Sequence, residues 1–183
     1  MAKDSAHLTF VGLRNGCFYF DECEQDEVDA DMFELTGTLV KLIRCHNNKF
    51  LILNATQFDL KDLNAAQQSC SDYKLCINIY KEPTAYSTPG RAVILSAHKD
   101  NKIYAAVCTG DKVLAEEVDI QKKIEENVHK AVFYMIQDER RHCFKLKSSL
   151  YPDKYLGFDE NDSNKLVLRQ YDPENHYDVV TLV

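Results

Sequence analysis

A chain of 183 residues, 45% of them hydrophobic, is long enough to bury one sizeable core, and it carries a formal net charge of −7. Residues 1–31 hold eight Asp/Glu against two Lys/Arg, whereas residues 32–183 hold 21 against 20, so the acidity belongs to an N-terminal leader. A nearly neutral remainder lacks the basic field that a nucleic-acid backbone demands, and no apolar run approaches the ~20 residues of a membrane span, which argues against both partners.

Taken in chain order, residues 1–10 include Lys3, Asp4, Ser5 and His7 and contain no apolar stretch of signal-peptide length, so the chain is expected to be made in the cytoplasm. Residues 8–13 and 18–20 read as two short strands around Arg14, Asn15 and Gly16, an Asn-Gly turn signal. Residues 21–31 follow, with seven acidic side chains in eleven positions and no basic one. Such a run repels itself and has little apolar surface to bury, so it should be extended, exposed and open to proteases. The simplest organisation is an acidic pro-segment over 1–31 and one domain over 32–183.

Within that domain, residues 39–43 and 50–53 outline a hairpin with a polar tip at His46, Asn47, Asn48 and Lys49. Residues 74–80 alternate, with Leu75, Ile77 and Ile79 on one side, and enter a Pro-containing loop over 82–90. Residues 92–97, 103–108 and 113–118 are the next strands, divided by turn signals at Lys99, Asp100 and Asn101 and at Thr109, Gly110 and Asp111. Ile120, Ile124 and Val128 recur every four residues, which predicts a short helix or turn over 120–130. Strands return at 131–136, 143–147, 155–158, 166–168 and 179–182. Short strands without a repeated strand-helix unit predict an all-β fold, a closed or pseudo-threefold barrel. Its core should take Leu42, Leu51, Ile77, Ile79, Val93, Leu95, Phe144, Leu146, Leu156, Phe158, Leu166 and Leu168.

Chemistry-bearing patterns are sparse. The seven cysteines are odd in number and form no CxxC, so most are expected to be free thiols, and no metal or cofactor is implied. The six histidines are scattered, no GxSxG, HExxH, GxxxxGK[ST] or GxGxxG occurs, and Asp159, Glu160 and Asp162 read as a solvated hairpin tip. The expectation is a protein that is not an enzyme.

Three stretches resemble the interleukin-1 family of cytokines, its interleukin-18 branch in particular. The first is Val11-Gly12-Leu13-Arg14-Asn15-Gly16-Cys17-Phe18-Tyr19-Phe20 with the acidic run behind it. The second is Ile77-Asn78-Ile79-Tyr80-Lys81-Glu82, followed by the Pro-containing loop and Arg91-Ala92-Val93-Ile94-Leu95-Ser96. The third runs through Phe133-Tyr134, Phe144-Lys145-Leu146-Lys147-Ser148-Ser149, Tyr155-Leu156-Gly157-Phe158 and Lys165-Leu166-Val167-Leu168.

The resemblance implies a β-trefoil of twelve short strands, made as an inactive cytoplasmic precursor and cut by an inflammatory caspase. It places the cut between Asp31 and Met32, with Asp29 and Ala30 as the alternative. It further implies release by a non-classical secretory route and proinflammatory signalling that promotes interferon-γ-type responses. Partners would be the alpha and beta chains of an interleukin-18-type receptor, both built of immunoglobulin-like domains, and a soluble binding protein, met by a cytokine that is monomeric beforehand. Tyr80, Lys81 and Arg91 are the receptor-facing residues it points to. The alternatives are a family member that antagonises its receptor and an intracellular β-trefoil binding module.

Overall fold

The computed structural model describes residues 7–183 except 15–16, 24–31, 46, 83–89, 127, 139–141, 160, 163–164 and 175–178. Within the leader, β1 (His7–Arg14) and β2 (Cys17–Cys23) pair antiparallel, with Arg14 opposite Cys17. That register leaves a two-residue connection, as the Asn-Gly signal predicts, although Asn15 and Gly16 themselves lie outside the described residues. The backbone of β1 passes close to that of β3 (Phe33–Lys41), the first strand of the main body.

β3 and β4 (Ile43–Cys45) form one path broken only at Leu42. The hairpin β5 (Phe50–Asn54) and β6 (Gln57–Lys61) follows, then α1 (Ala65–Ser69), a 3-10 turn (Ser71–Tyr73) and β7 (Leu75–Lys81). The same plan of wall strand, hairpin and returning wall strand recurs. Its second copy is β8 (Arg91–Lys99), β9 (Lys102–Thr109), β10 (Lys112–Glu117), the two-residue β11 (Lys123–Ile124) and β12 (Phe133–Asp138). The third is β13 (Cys143–Ser148), β14 (Lys154–Phe158), β15 (Leu166–Gln170) and β16 (Val179–Leu182).

Pairing closes the wall strands into a ring: β3 with β7, β7 with β8, β8 with β12, β12 with β13, β13 with β16, and β16 back to β4. Closure matters because an open edge would leave a row of unpaired backbone groups. The three hairpins continue from β4, β8 and β13 and meet over one end, where Lys112 pairs with Val167 and Asp59 bridges to Lys165. A six-stranded barrel capped by three hairpins, with each repeat contributing equivalently, is a β-trefoil. Its twelve strands become fourteen here because Leu42 splits the first and β11 is added.

The barrel interior follows from period-two alternation. Leu75, Ile77 and Ile79 of β7, Val93 and Leu95 of β8, Phe133 of β12 and Phe144 and Leu146 of β13 converge with Leu51, Phe58, Leu156, Phe158, Leu166 and Leu168 from the cap. Residues 92–97 are buried throughout because β8 is covered on both faces: Val93 and Leu95 point inward while Ala92 and Ile94 join a second cluster outside the wall. Of the expected core residues, only Leu42 is placed differently. It is buried in a separate outer cluster with Phe50, Ile52 and Leu63, since the neighbouring Ile43 takes the inward position.

One sequence expectation changes. Residues 120–126 and 128–130 belong to an extended strap rather than a helix: Ile124 pairs with Phe33 in β11, Ile120 packs on the same outer cluster, and Val128 is exposed. The spacing therefore serves a strap pressed on the wall, and tertiary packing overrides the helical period. The α-helix is instead α1, closed by a reciprocal cap in which Asn64 Oδ1 accepts from the Gln67 amide at 2.9 Å and Gln67 Oε1 accepts from the Asn64 amide at 3.0 Å.

The cysteine expectation meets a consistent arrangement: Cys45, Cys70, Cys76, Cys108 and Cys143 are free thiols. Burial pushes Cys45 up to about 12 and Cys108 up to about 11, so these two thiols stay protonated and unreactive near neutrality. Truncating the core at Phe144→Ala or Leu146→Ala is expected to cost about 2–5 kcal/mol in denaturant unfolding, because both side chains fill the closed barrel rather than a yielding surface.

Candidate functional site

Each repeat starts and finishes at the barrel rim opposite the hairpin cap, so the starts of β3 and β8 and the end of β7 gather there. Met32, half-buried, immediately precedes Phe33, which is fully buried and opens β3. The chain therefore becomes part of the folded body within one residue of the expected cleavage position. Asp29, Ala30 and Asp31 lie outside the described residues.

Register brings charged residues together at this rim. Glu34 of β3 stands opposite Lys81 at the end of β7 and opposite Lys123 of β11 on its other side, a lysine-glutamate-lysine row across three strands. Opposite charges facing each other on neighbouring strands contribute roughly 0.2–1 kcal/mol, mainly by fixing register. Lys81 is half-buried, and no ion pair among the described residues involves it. Arg91, also half-buried, opens β8; burial lowers its guanidinium pKa and the carboxylate of Glu82 raises it. The loop between these two residues, 83–89, is outside the described residues.

Tyr80 requires a correction. Its ring is 1% exposed and packs in the outer cluster with Phe33, Ile94 and Tyr134, so it offers no surface to a receptor. The Tyr80 hydroxyl donates to the Gln121 carbonyl oxygen at 2.8 Å, the Leu35 amide donates to the Lys122 carbonyl at 2.8 Å, and together they tie the strap to the rim. A phenol so enclosed loses the water that would stabilise its anion, and burial pushes its pKa up to about 12. Tyr80 thus supports the backbone that presents Lys81.

Gly90 and the row partners Glu34 and Lys123 are the rim residues that sequence reasoning missed. Glu34 and Lys123 have no signal without the pairing register. Gly90 has one, since a glycine after Pro89 marks a turn: its φ is +103°, and a Cβ there would lie 2.7 Å from the Met135 carbonyl oxygen. The glycine lets β8 begin hard against β12, directly beside Arg91. Among the described residues no group of three His, Cys, Asp or Glu is arranged to hold a metal, and no helix is long and apolar enough to cross a membrane.

No known family model matches the sequence, and no curated protein matches it by sequence. Solved structures do match by shape. Chicken interleukin-1 beta superposes with a TM-score of 0.62 at 18% identity, covering 82% of this chain and 98% of that one. A point mutant of the same chicken protein gives 0.64 at 18% identity over 82% and 99%. The GlcNAcα1-4Gal-releasing endo-β-galactosidase of Clostridium perfringens matches at 0.56 and 9% identity, over 79% of this chain and 32% of that one. At these identities the likeness establishes the β-trefoil.

Replacing Gly90 by Ala is expected to cost about 1–3 kcal/mol in stability, through an unfavourable φ and a collision with backbone that cannot swing aside. Tyr80→Phe should lose about 1 kcal/mol near neutrality with its hydrogen bond. It should also change the alkaline behaviour. The folded protein holds the Tyr80 proton to about 12, whereas an unperturbed phenol releases it near 10. Stability from this group is therefore complete below pH 10 and drains as pH rises toward 12. Denaturant unfolding at pH 9 and pH 11 should show a smaller alkaline loss in Tyr80→Phe than in the parent.

Proposed function

We propose that this chain is a non-catalytic cytokine of the interleukin-1 family, nearest to its interleukin-18 branch, made as an inactive cytoplasmic precursor and secreted by a non-classical route after caspase cleavage. Cleavage follows Asp31 and gives a mature chain starting at Met32, with Asp29 and Ala30 as the alternative pair. The mature domain assembles two immunoglobulin-like receptor chains and promotes interferon-γ-type responses. Lys81 and Arg91 meet carboxylates on a receptor chain, while Tyr80 holds the strand of Lys81 in place.

The observation that carries this reading is the shared rim. Met32 lies two residues before Glu34, and Glu34 faces Lys81. A leader entering at Met32 therefore begins beside the candidate receptor residues, and its strand β1 passes close to β3. A leader so placed obstructs the rim, and cutting it after Asp31 clears the rim without touching the ladder that starts at Phe33. Further support comes from the concentration of acid in residues 21–31, a composition with little apolar surface to bury that supplies aspartates for a protease to cut at. Lysine and arginine beside a partly buried rim suit recognition of an acidic partner surface, where charge governs encounter and register.

Two linked measurements test it. The full chain is incubated with an inflammatory caspase and its products are sequenced from the N terminus; a new start at Met32 is expected, and complete resistance overturns the precursor reading. Residues 32–183 are then titrated with each receptor ectodomain, separately and together. A three-component complex supports an agonist, a two-component complex that excludes the second chain indicates an antagonist, and absence of binding overturns the cytokine reading. Within a productive complex Lys81→Glu is expected to weaken affinity about tenfold, or ~1.4 kcal/mol.

A further inference from the structure

The strap between β10 and β12 does not lie flat on the barrel. Between it and the outer faces of β8 and β9 is a cavity of about 260 Å³, separate from the barrel interior. Its floor is Ile94, Ala105 and Val107, and its roof is Ile120 and Ile124. Protein interiors pack to near crystalline density, so a space of this size beneath ordered chain calls for an explanation.

The walls are fixed at both ends. On one side Val118 donates to Ile103 at 2.9 Å, and the Tyr80 hydroxyl and the Leu35 amide hold Gln121 and Lys122. On the other, the Cys108 amide donates to the Lys130 carbonyl at 2.9 Å. Ser149 Oγ both donates to the His129 carbonyl at 2.8 Å and accepts from the His129 amide at 3.0 Å. A strap anchored this way cannot settle into the space, which makes the cavity a preformed one.

Its polar lining is equally defined. His129 Nδ1 accepts from the Ala131 amide at 3.2 Å, so the neutral ring carries its proton on Nε2. Burial lowers the pKa of this imidazole, against an opposing contribution from Glu126, and Lys130 lowers it further, which favours the uncharged ring. The Nε2–H has no partner among the described residues. Lys130 is matched by Glu116 at 2.5 Å, and Asp119 stands on the rim, so charges of both signs border the opening and a ligand of either net charge meets a like charge.

We infer that this cavity is a binding site for a small, neutral, planar bicyclic molecule bearing one hydrogen-bond acceptor, seated between the β8–β9 face and the strap with its acceptor on His129 Nε2–H. The size follows from comparison: an apolar cavity of about 150 Å³ takes a benzene, so this one takes a second fused ring. The site is independent of the receptor reading, since none of its lining is Lys81 or Arg91.

The test is a methyl-detected NMR titration of the full chain with coumarin, which carries a carbonyl acceptor, and with naphthalene, which carries none. Saturable shifts confined to the methyls of Ile94, Val107 and Ile124 are expected, with coumarin at least fivefold tighter and that preference abolished in His129→Phe. Ala105→Leu, which fills the floor, should remove binding; if it fails to fold, Val107→Ile adds one carbon to the same wall and should weaken it severalfold. No saturable shift, shifts centred on barrel residues such as Leu95 and Phe133, or unchanged affinity in the filled variant would each overturn the site. Equal affinity for the two probes would overturn the role of His129.

Discussion

Closure of the six-strand wall is the constraint on which everything else rests. No strand of four to nine residues is stable alone, and each contributes only a few inward side chains, so the interior exists only when all six wall strands are paired. The three hairpins then seal one end because their own apolar residues have nowhere else to be buried. A repeat thus supplies wall and lid together, and damage to either is felt throughout the common core.

That division of labour decides where function can sit. The capped end is consumed by the meeting of β6, β10 and β15, through contacts such as Lys112 with Val167. At the opposite rim, chain entries and exits are free of that duty, and charge can be arranged there without breaking the core. The row of Lys81, Glu34 and Lys123 follows from register alone, since three strands from distant parts of the sequence pair side by side. Departure from threefold symmetry provides the other candidate feature. The second repeat returns to the wall through a long strap, and beneath it a large apolar cluster forms outside the barrel, around Phe33, Tyr80 and Ile124.

Much of the architecture was legible because alternation is a local property. Cys143-Phe144-Lys145-Leu146-Lys147 announces one wet and one dry face, and β13 has them. Where a residue faces a second cluster outside the wall, the pattern misleads. Leu42 is apolar and buried but outside the barrel, and Ile120 and Ile124 keep a helical spacing while lying in an extended strap. Gln57–Lys61 alternates cleanly, with Phe58 and Leu60 buried, yet went unassigned among polar neighbours. At the rim, the sequence singled out Lys81 and Arg91 as candidates but could not tell that the adjacent Tyr80 is buried in the outer cluster. That depends on the outer cluster, which is assembled from six separated segments. Glu34, Lys123 and the cavity beneath the strap depend on register and long-range packing, and no local pattern encodes either.

The pairing of β16 with β4 has a consequence for how the molecule is made. Arg44 and Thr181 are neighbours in space, as are Leu42 and Val183, whose backbones exchange hydrogen bonds at 2.9 and 3.2 Å. During synthesis β4 emerges from the ribosome long before its partner, so the ring cannot be completed until β16 has been translated. Until then β4 and β13 present bare edges in a crowded cell. Nascent chains of this topology therefore carry unpaired strand edges until β16 arrives to close the ring.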